Sequence, residues 1–259
     1  MTSLPLPDVL VVGSACPLLT GRCWSSFVVG GRVLIEAPPM VPQRLHELGL
    51  DPLALDAVVI SHLHGDHFAG LPFLLLEYDV VTSRVAPLRI VGPPGTQARI
   101  EALFEVYYPG WAQEVDRGYS CEFHEMRDGE TLQMGDFLLR AVEVDHGLDP
   151  DQALGFRIEG AMGSIGFSGD TRYTDALLTV AHEVDILIVD CTHANPTPGA
   201  THLSFTEIVD LRARLPRSTE IVLTHLGALL PDNIPVGIRV PLDGELLQCR
   251  AGNRSRSHR

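Results

Sequence analysis

Short apolar runs broken by turn residues dominate the first sixty positions of this chain. Residues 9–12, 26–29 and 32–35 are runs of about four rich in Val, Leu and Ile, the pattern of short strands. Gly30-Gly31 joins the last two as a tight hairpin, because adjacent glycines supply the positive φ angles of such turns. Residues 41–48 read as a short helix, followed by the apolar strand 57–60. Further helices are expected near 69–78 and 96–107. Between 121 and 167 the pattern turns strand-like, with runs at 121–126, 137–144, 154–158 and 164–167. The last third alternates again. A strand at 185–189 precedes a helix over 204–215, whose Ser204-x-x-Glu207 reads as a capping box. A strand at 220–224 then leads into a loop rich in Pro and Gly. Strands, helices, strands, then strand–helix–strand imply two sheets with helices outside, an α/β sandwich.

Composition narrows this picture. With 45% hydrophobic residues over 259 positions and no linker or low-complexity stretch, a single domain over 1–249 is expected. The arginine-rich segment 250–259 reads as a disordered tail. Residues 1–8 lack the basic and apolar regions of a signal peptide, and no apolar run approaches the ~18 residues of a membrane span. Five cysteines without a C-x-x-C pair read as free thiols, so a cytoplasmic location and no membrane contact are expected.

Charge removes whole classes of function. All 19 basic residues are arginine, which excludes Schiff-base chemistry, a lysine-anchored pyridoxal cofactor and a lysine-bearing phosphate loop. The formal charge is −14, and four arginines with no acid lie in the last ten residues. The body before them therefore carries 15 − 33 = −18. Such a body is a poor polyanion binder, because non-specific nucleic-acid affinity comes from neutralising phosphates with cations.

The strongest chemical signal is His62-Leu63-His64-Gly65-Asp66-His67, directly after the strand at 57–60. Four metal-competent side chains within six residues at a strand end are expected by chance on the order of once in a thousand. His62 and His64, two apart on an extended segment, point to the same side and can chelate one ion. Asp66 and His67 are then left for a second ion nearby. Further donors lie just beyond other apolar runs: His146 after 142–145, Asp170 after 165–169 and His225 after 221–224. A site assembled from several strand ends requires that shared position.

These residues resemble the metallo-β-lactamase-fold hydrolases over most of the chain, from Val9 to about Pro241. The resemblance implies a four-layer αβ/βα sandwich with the metals at one edge, between two mixed sheets. It implies one ion on His62, His64 and His146, and a second on Asp66, His67 and His225, with Asp170 bridging both. Both are divalent, zinc foremost, with manganese or iron as alternatives, and a hydroxide bridging them is the nucleophile. His146-x7-Leu154-Gly155-Phe156-Arg157-Ile158, Gly169-Asp170-Thr171-Arg172 and His202-Leu203-Ser204 are similar to ribonuclease Z and related phosphodiesterases. There the histidine matching His202 assists leaving-group protonation; Asp66 is the other candidate acid. Members often dimerise, so a homodimer is an expectation as well.

Three departures qualify the carry-over. Where many members have an Asp-Cys-Gly or Asp-Thr-Gly turn, this chain has Glu36-Ala37-Pro38-Pro39-Met40, so Glu36 would orient a ligand histidine with a longer reach. The long basic arm by which ribonuclease Z grips transfer RNA has no counterpart. Asp145 either orients His146 or is a plain surface acid. The leading expectation is therefore a binuclear phosphodiesterase for small or cyclic anionic esters, with nucleic acid not the main partner. The alternatives are a lactonase, esterase or weak β-lactamase on the same site and, behind these, a ribonuclease Z-type endonuclease. A diiron oxidoreductase would need a flavin domain for which 259 residues leave no room. Two accessory features stand open. Tyr107-Tyr108-Pro109-Gly110-Trp111 is either helix-end packing or a pocket wall, and Arg172 is either a substrate contact or a surface residue.

Overall fold

A computed structural model describes residues 8–111, 115–149, 152–161 and 163–249; the tail at 250–259 and residues 1–7, on which the leader reading rests, lie outside the described residues. Two seven-stranded sheets form the body. The first contains β1 (Val9–Gly13), β2 (Ser26–Val29), β3 (Val33–Ile35), β4 (Ala57–Val59), β5 (Leu88–Gly92) and β6 (Cys121–Glu125) in that spatial order, with β14 (Leu246–Leu247) outside β1. The second runs from β7 (Thr131–Met134) through β8 (Phe137–Glu143), β9 (Leu154–Gly160), β10 (Gly163–Phe167), β11 (Ile186–Asp190) and β12 (Glu220–Thr224) to β13 (Ile238–Arg239). Each sheet begins with three antiparallel ladders and ends with three parallel ones, so the two halves repeat one plan. The architecture is the expected αβ/βα sandwich.

Alternation along the strands builds its layers. In β4, Val59 faces the second sheet, where it joins Phe27, Phe156 and Phe167, while Val58 faces the helices. In β11, Ile186 and Ile188 point inward, and Leu187 and Val189 point outward. The first outer face is covered by α1 (Val41–Glu47), α3 (Leu71–Glu77) and α4 (Thr96–Tyr107), through Leu45, Leu74 and Phe104. The second is covered by α5 (Ala176–Val180) and α6 (Phe205–Arg214), through Leu177, Ile208 and Leu211. Both the Ser204 hydroxyl and the Glu207 carboxylate complete the capping box read from sequence.

β4, β8, β10, β11 and β12 all end at one edge of the sandwich. There the sheets are stitched to each other. An isolated bridge pairs His62 with Ala153, with Leu154 N–H donating to Ser61 O at 2.9 Å. Another pairs Ala15 with Leu226, with Cys16 N–H donating to Leu226 O and Leu226 N–H to Ser14 O, each 3.0 Å. The Pro/Gly-rich stretch expected as loop contains β13, and β14 follows it; two-residue strands are too short to leave a period in the sequence. No helix among the described residues is long and apolar enough to cross a membrane.

Candidate metal centre

The backbone after β4 explains how one hexapeptide serves two places. His62 continues the strand direction, and His64 is still extended (φ −81°, ψ 148°) as the residue before the single turn α2 (Gly65–Phe68). That turn swings Asp66 and His67 off the line of His62 and His64. The ligand atoms of His62, His64 and His146 lie within 4.8 Å of one another, as do those of Asp66, His67 and His225. His62, His67 and Asp170 form a third such group. The structure thus brings all seven predicted donors to one edge.

Asp170 Oδ2 sits at the centre. It is 3.2 Å from His67 Nε2, 3.4 Å from His225 Nε2, 3.8 Å from His62 Nε2 and 4.0 Å from His146 Nε2. Asp66 Oδ2 lies 3.2 Å from His225 Nε2 and 3.4 Å from His67 Nε2, and His146 Nε2 lies 3.2 Å from His64 Nδ1. Gly169 makes the central position reachable. Its φ is +59°, and a Cβ there would stand 2.7 Å from Leu154 O and 2.9 Å from Ser61 Cβ.

The outer nitrogens of His146, His225 and His62 are held from behind by hydrogen bonds. His146 Nδ1–H donates to Thr201 O at 3.0 Å, which leaves Nε2 as a bare lone pair. His225 Nδ1 bonds the Thr192 hydroxyl at 2.8 Å, and His62 Nδ1 bonds the Ser61 hydroxyl at 3.0 Å. Glu36 Oε2 approaches His67 Nδ1 at 3.5 Å while its carboxylate accepts the Ser61 N–H at 3.1 Å. Glu36 reaches this place from a left-handed backbone, φ 60°, and His225 is likewise left-handed at φ 51°. Such backbones are uncommon for non-glycine residues and concentrate at functional sites.

Whether a cation fits can be judged from these atoms. His62 Nε2 and His67 Nε2 are buried with no hydrogen-bond partner, although buried polar atoms normally have one. Five imidazoles and two carboxylates form a donor set suited to zinc, manganese or iron. Burial pushes His62, His64 and His146 below the usual histidine range, toward the neutral form that binds metals. Burial also opposes charge on His67, but Asp170 and Glu36 outweigh it and raise that histidine well above its ordinary value. Asp170 and Asp66 resist the upward push of burial because His225 and His67 face them, and both stay below the usual carboxylate range. The donors fit a cationic centre.

His202, expected near the reaction, stacks on His225 with centroids 5.0 Å apart and lies 4.7 Å from His146. Its Nδ1 donates to Asp190 Oδ2 at 2.9 Å and is 3.8 Å from Asp170 Oδ2. The reading of the sequence missed Asp190. It ends the apolar run of β11, so the rule that found His146, Asp170 and His225 also points to it. Fully buried, it accepts the N–H groups of Thr171, Thr192 and Leu203 and the Thr192 hydroxyl before it meets His202. Burial disfavours charge on His202, yet the Asp190 carboxylate outweighs it and raises its pKa.

Other candidates settle elsewhere. Arg172 Nε pairs with Asp145 Oδ1 at 3.3 Å, so Arg172 is engaged at the surface. Asp145 accepts Gly147 N–H at 3.1 Å and caps the turn that carries His146. Tyr107 stacks on Phe73, Tyr108 meets Phe104 at a tilt of 51°, and Trp111 N–H reaches Asp79, which is packing around α3 and α4.

Fold and site give the chain a metallo-β-lactamase architecture with a candidate metal centre at its edge. It belongs to the beta-lactamase superfamily: the family model "Beta-lactamase superfamily domain" matches residues 28–226. Among similar proteins is a Ribonuclease Z of Mycobacterium bovis (strain BCG / Pasteur 1173P2), 31% identical over 195 residues. That match covers 72% of this chain and 66% of the relative, just under two thirds of the relative's length. Human tRNase Z, short form, superposes with a TM-score of 0.72 at 20% identity, covering 94% of this chain and 99% of the other. A diphosphatase of the PhnP family gives 0.70 at 21% identity, with 94% and 98% covered.

Proposed function

We propose that the chain is a binuclear metal-dependent phosphodiesterase acting on small or cyclic phosphodiesters. The observation that carries this reading is the juxtaposition at Asp170: its Oδ2 lies 3.8 and 4.0 Å from His62 and His146 of one donor group and 3.2 and 3.4 Å from His67 and His225 of the other, and a histidine held by a buried aspartate stands 3.8 Å away. His62, His64 and His146 would hold one divalent cation, and Asp66, His67 and His225 the other, with Asp170 common to both. When bound, such a pair activates water as a nucleophile at neutral pH and stabilises negative charge on the phosphoryl oxygens. Asp66 and Asp170 offset only half the charge of two dications, so an anionic ester is attracted into an otherwise acidic protein.

The remaining steps belong to the chain's own side chains. Asp190 fixes His202 with Nδ1 inward, which turns Nε2 toward the substrate space. From there His202 gives its proton to the leaving oxygen as the P–O bond breaks. The Asp190 carboxylate raises its pKa above the ordinary imidazole value, which favours the proton-bearing form. Glu36 keeps His67 in register through Nδ1. The names of the relatives, a ribonuclease, a tRNase and a diphosphatase, support chemistry at phosphorus. The −18 body and the tight β9–β10 hairpin, with strands closing at Gly160 and Gly163, favour the smaller substrate.

A substrate panel tests this reading: bis-p-nitrophenyl phosphate, cyclic nucleotides, precursor tRNA, a lactone and nitrocefin, each with zinc or manganese. Turnover of the diesters is the expected result. Turnover of the lactone or nitrocefin alone overturns it.

A further inference from the structure

One imidazole beside the site is committed to nothing. His193 follows β11 and is held by its backbone: its N–H donates to Leu203 O at 3.1 Å, and its carbonyl accepts Phe205 N–H at 2.8 Å. An isolated bridge pairs it with Ser204. The side chain is therefore aimed from a fixed base. It is half-buried, and its ring lies 6.1 Å from the His202 ring at 79°. Neither ring nitrogen makes a hydrogen bond or ion pair with a described residue, and His193 belongs to none of the donor groups of the metal centre. Of the neighbouring polar side chains, Arg172 is paired with Asp145 and Thr192 is consumed by Asp190 and His225.

We infer that His193 recognises a hydroxyl group on the carbon next to the leaving oxygen, so that the preferred leaving alcohol is a vicinal diol such as ribose. The inference rests on the phosphodiesterase reading above, in which His202 meets the leaving oxygen. Two imidazoles in ring contact can each form a hydrogen bond of about 2.8 Å to one of two oxygens on adjacent carbons. A substrate lacking the second oxygen leaves His193 without that partner, which is how polar sites reject such analogues. In the reaction, water adds to phosphorus and releases a proton to solvent, the P–O bond to the ribose breaks, the ribose oxygen takes the proton from His202, and His202 regains one from solvent. His193 takes no part in the proton transfer and acts as a specificity-determining contact.

Adenosine 3′,5′-cyclic phosphate and its 2′-deoxy analogue differ only in the hydroxyl beside the 3′ leaving oxygen. The wild-type protein, loaded with zinc or manganese, is expected to favour the ribo form by about tenfold or more in kcat/KM, the scale of one buried hydrogen bond. His193→Ala should bring that ratio close to one, mainly through KM for the ribo form. His193→Asn, which retains a donor, should restore part of it. No discrimination by the wild-type protein, or an equal loss on both substrates in His193→Ala, overturns the inference; the latter makes His193 a support for His202. Cleavage of bis-p-nitrophenyl phosphate but of neither cyclic nucleotide also overturns it while leaving the phosphodiesterase reading intact. Failure on every diester sinks that reading instead.

Discussion

Asp190 is surrounded by donors from three segments, and that crowding decides its role. Its carboxylate accepts from Thr171, Thr192 and Leu203, and so held it accepts from His202 Nδ1–H at 2.9 Å, the contact that orients that ring. His202→Ala should lower kcat by 10²- to 10⁴-fold on substrates with poor leaving groups, and less on p-nitrophenyl esters, whose leaving oxygen needs no proton. Comparing the two substrate types checks this. The raised pKa of His202 implies a pH effect whose sign can be worked out. Its donor form persists to higher pH than a free imidazole allows, and activity falls as pH rises through that value. Asp190→Asn removes the stabilising carboxylate, so the alkaline limb of the kcat profile should move to lower pH. An unmoved limb would mean that another group sets it. At this scale the ligand candidates were legible because each stands just beyond an apolar run. Glu36 was legible only as a departure from a familiar turn; its contact with His67 depends on a φ of 60° that no side-chain pattern encodes.

Elements carry these residues to the edge, and glycine sets how closely they approach. Gly169→Ala adds a Cβ against Leu154 O and Ser61 Cβ at a positive φ. A loss of about 2–4 kcal/mol is expected from strain and displaced backbone, with weaker metal uptake because Asp170 follows directly. Denaturant melts and metal titration measure the two effects. Ser204→Ala removes a completed capping box at the start of α6 and should cost about 1 kcal/mol. Periodicity revealed most strands and helices, because β4, β11 and α6 alternate faces cleanly between two apolar layers. It could not reveal β13 and β14, which exist through pairing with β12 and β1. β5 carries a readable run, Leu88-Arg89-Ile90-Val91, that the pattern above leaves unassigned.

At the scale of the whole molecule, the centre depends on both halves of the repeated plan. His62, His64, Asp66 and His67 come from the first sheet; His146, Asp170 and His225 come from the second. Chelation should abolish hydrolysis, and zinc or manganese should restore it. Cations that bind only the folded state should also raise stability by about 2.7 kcal/mol at a hundredfold excess over Kd, seen as a higher Tm.

The bridges His62–Ala153 and Ala15–Leu226 are made by main chain, not by a cation. The sandwich is therefore bound like a book, with its spine along the margin that bears the chemistry. If the leaves part, they part at the opposite margin, and the amides of Cys16 and Leu154 should be among the slowest to exchange with deuterated water. A protein stripped by chelation keeps that spine. Reloading should then proceed at the speed of cation entry, with no refolding delay.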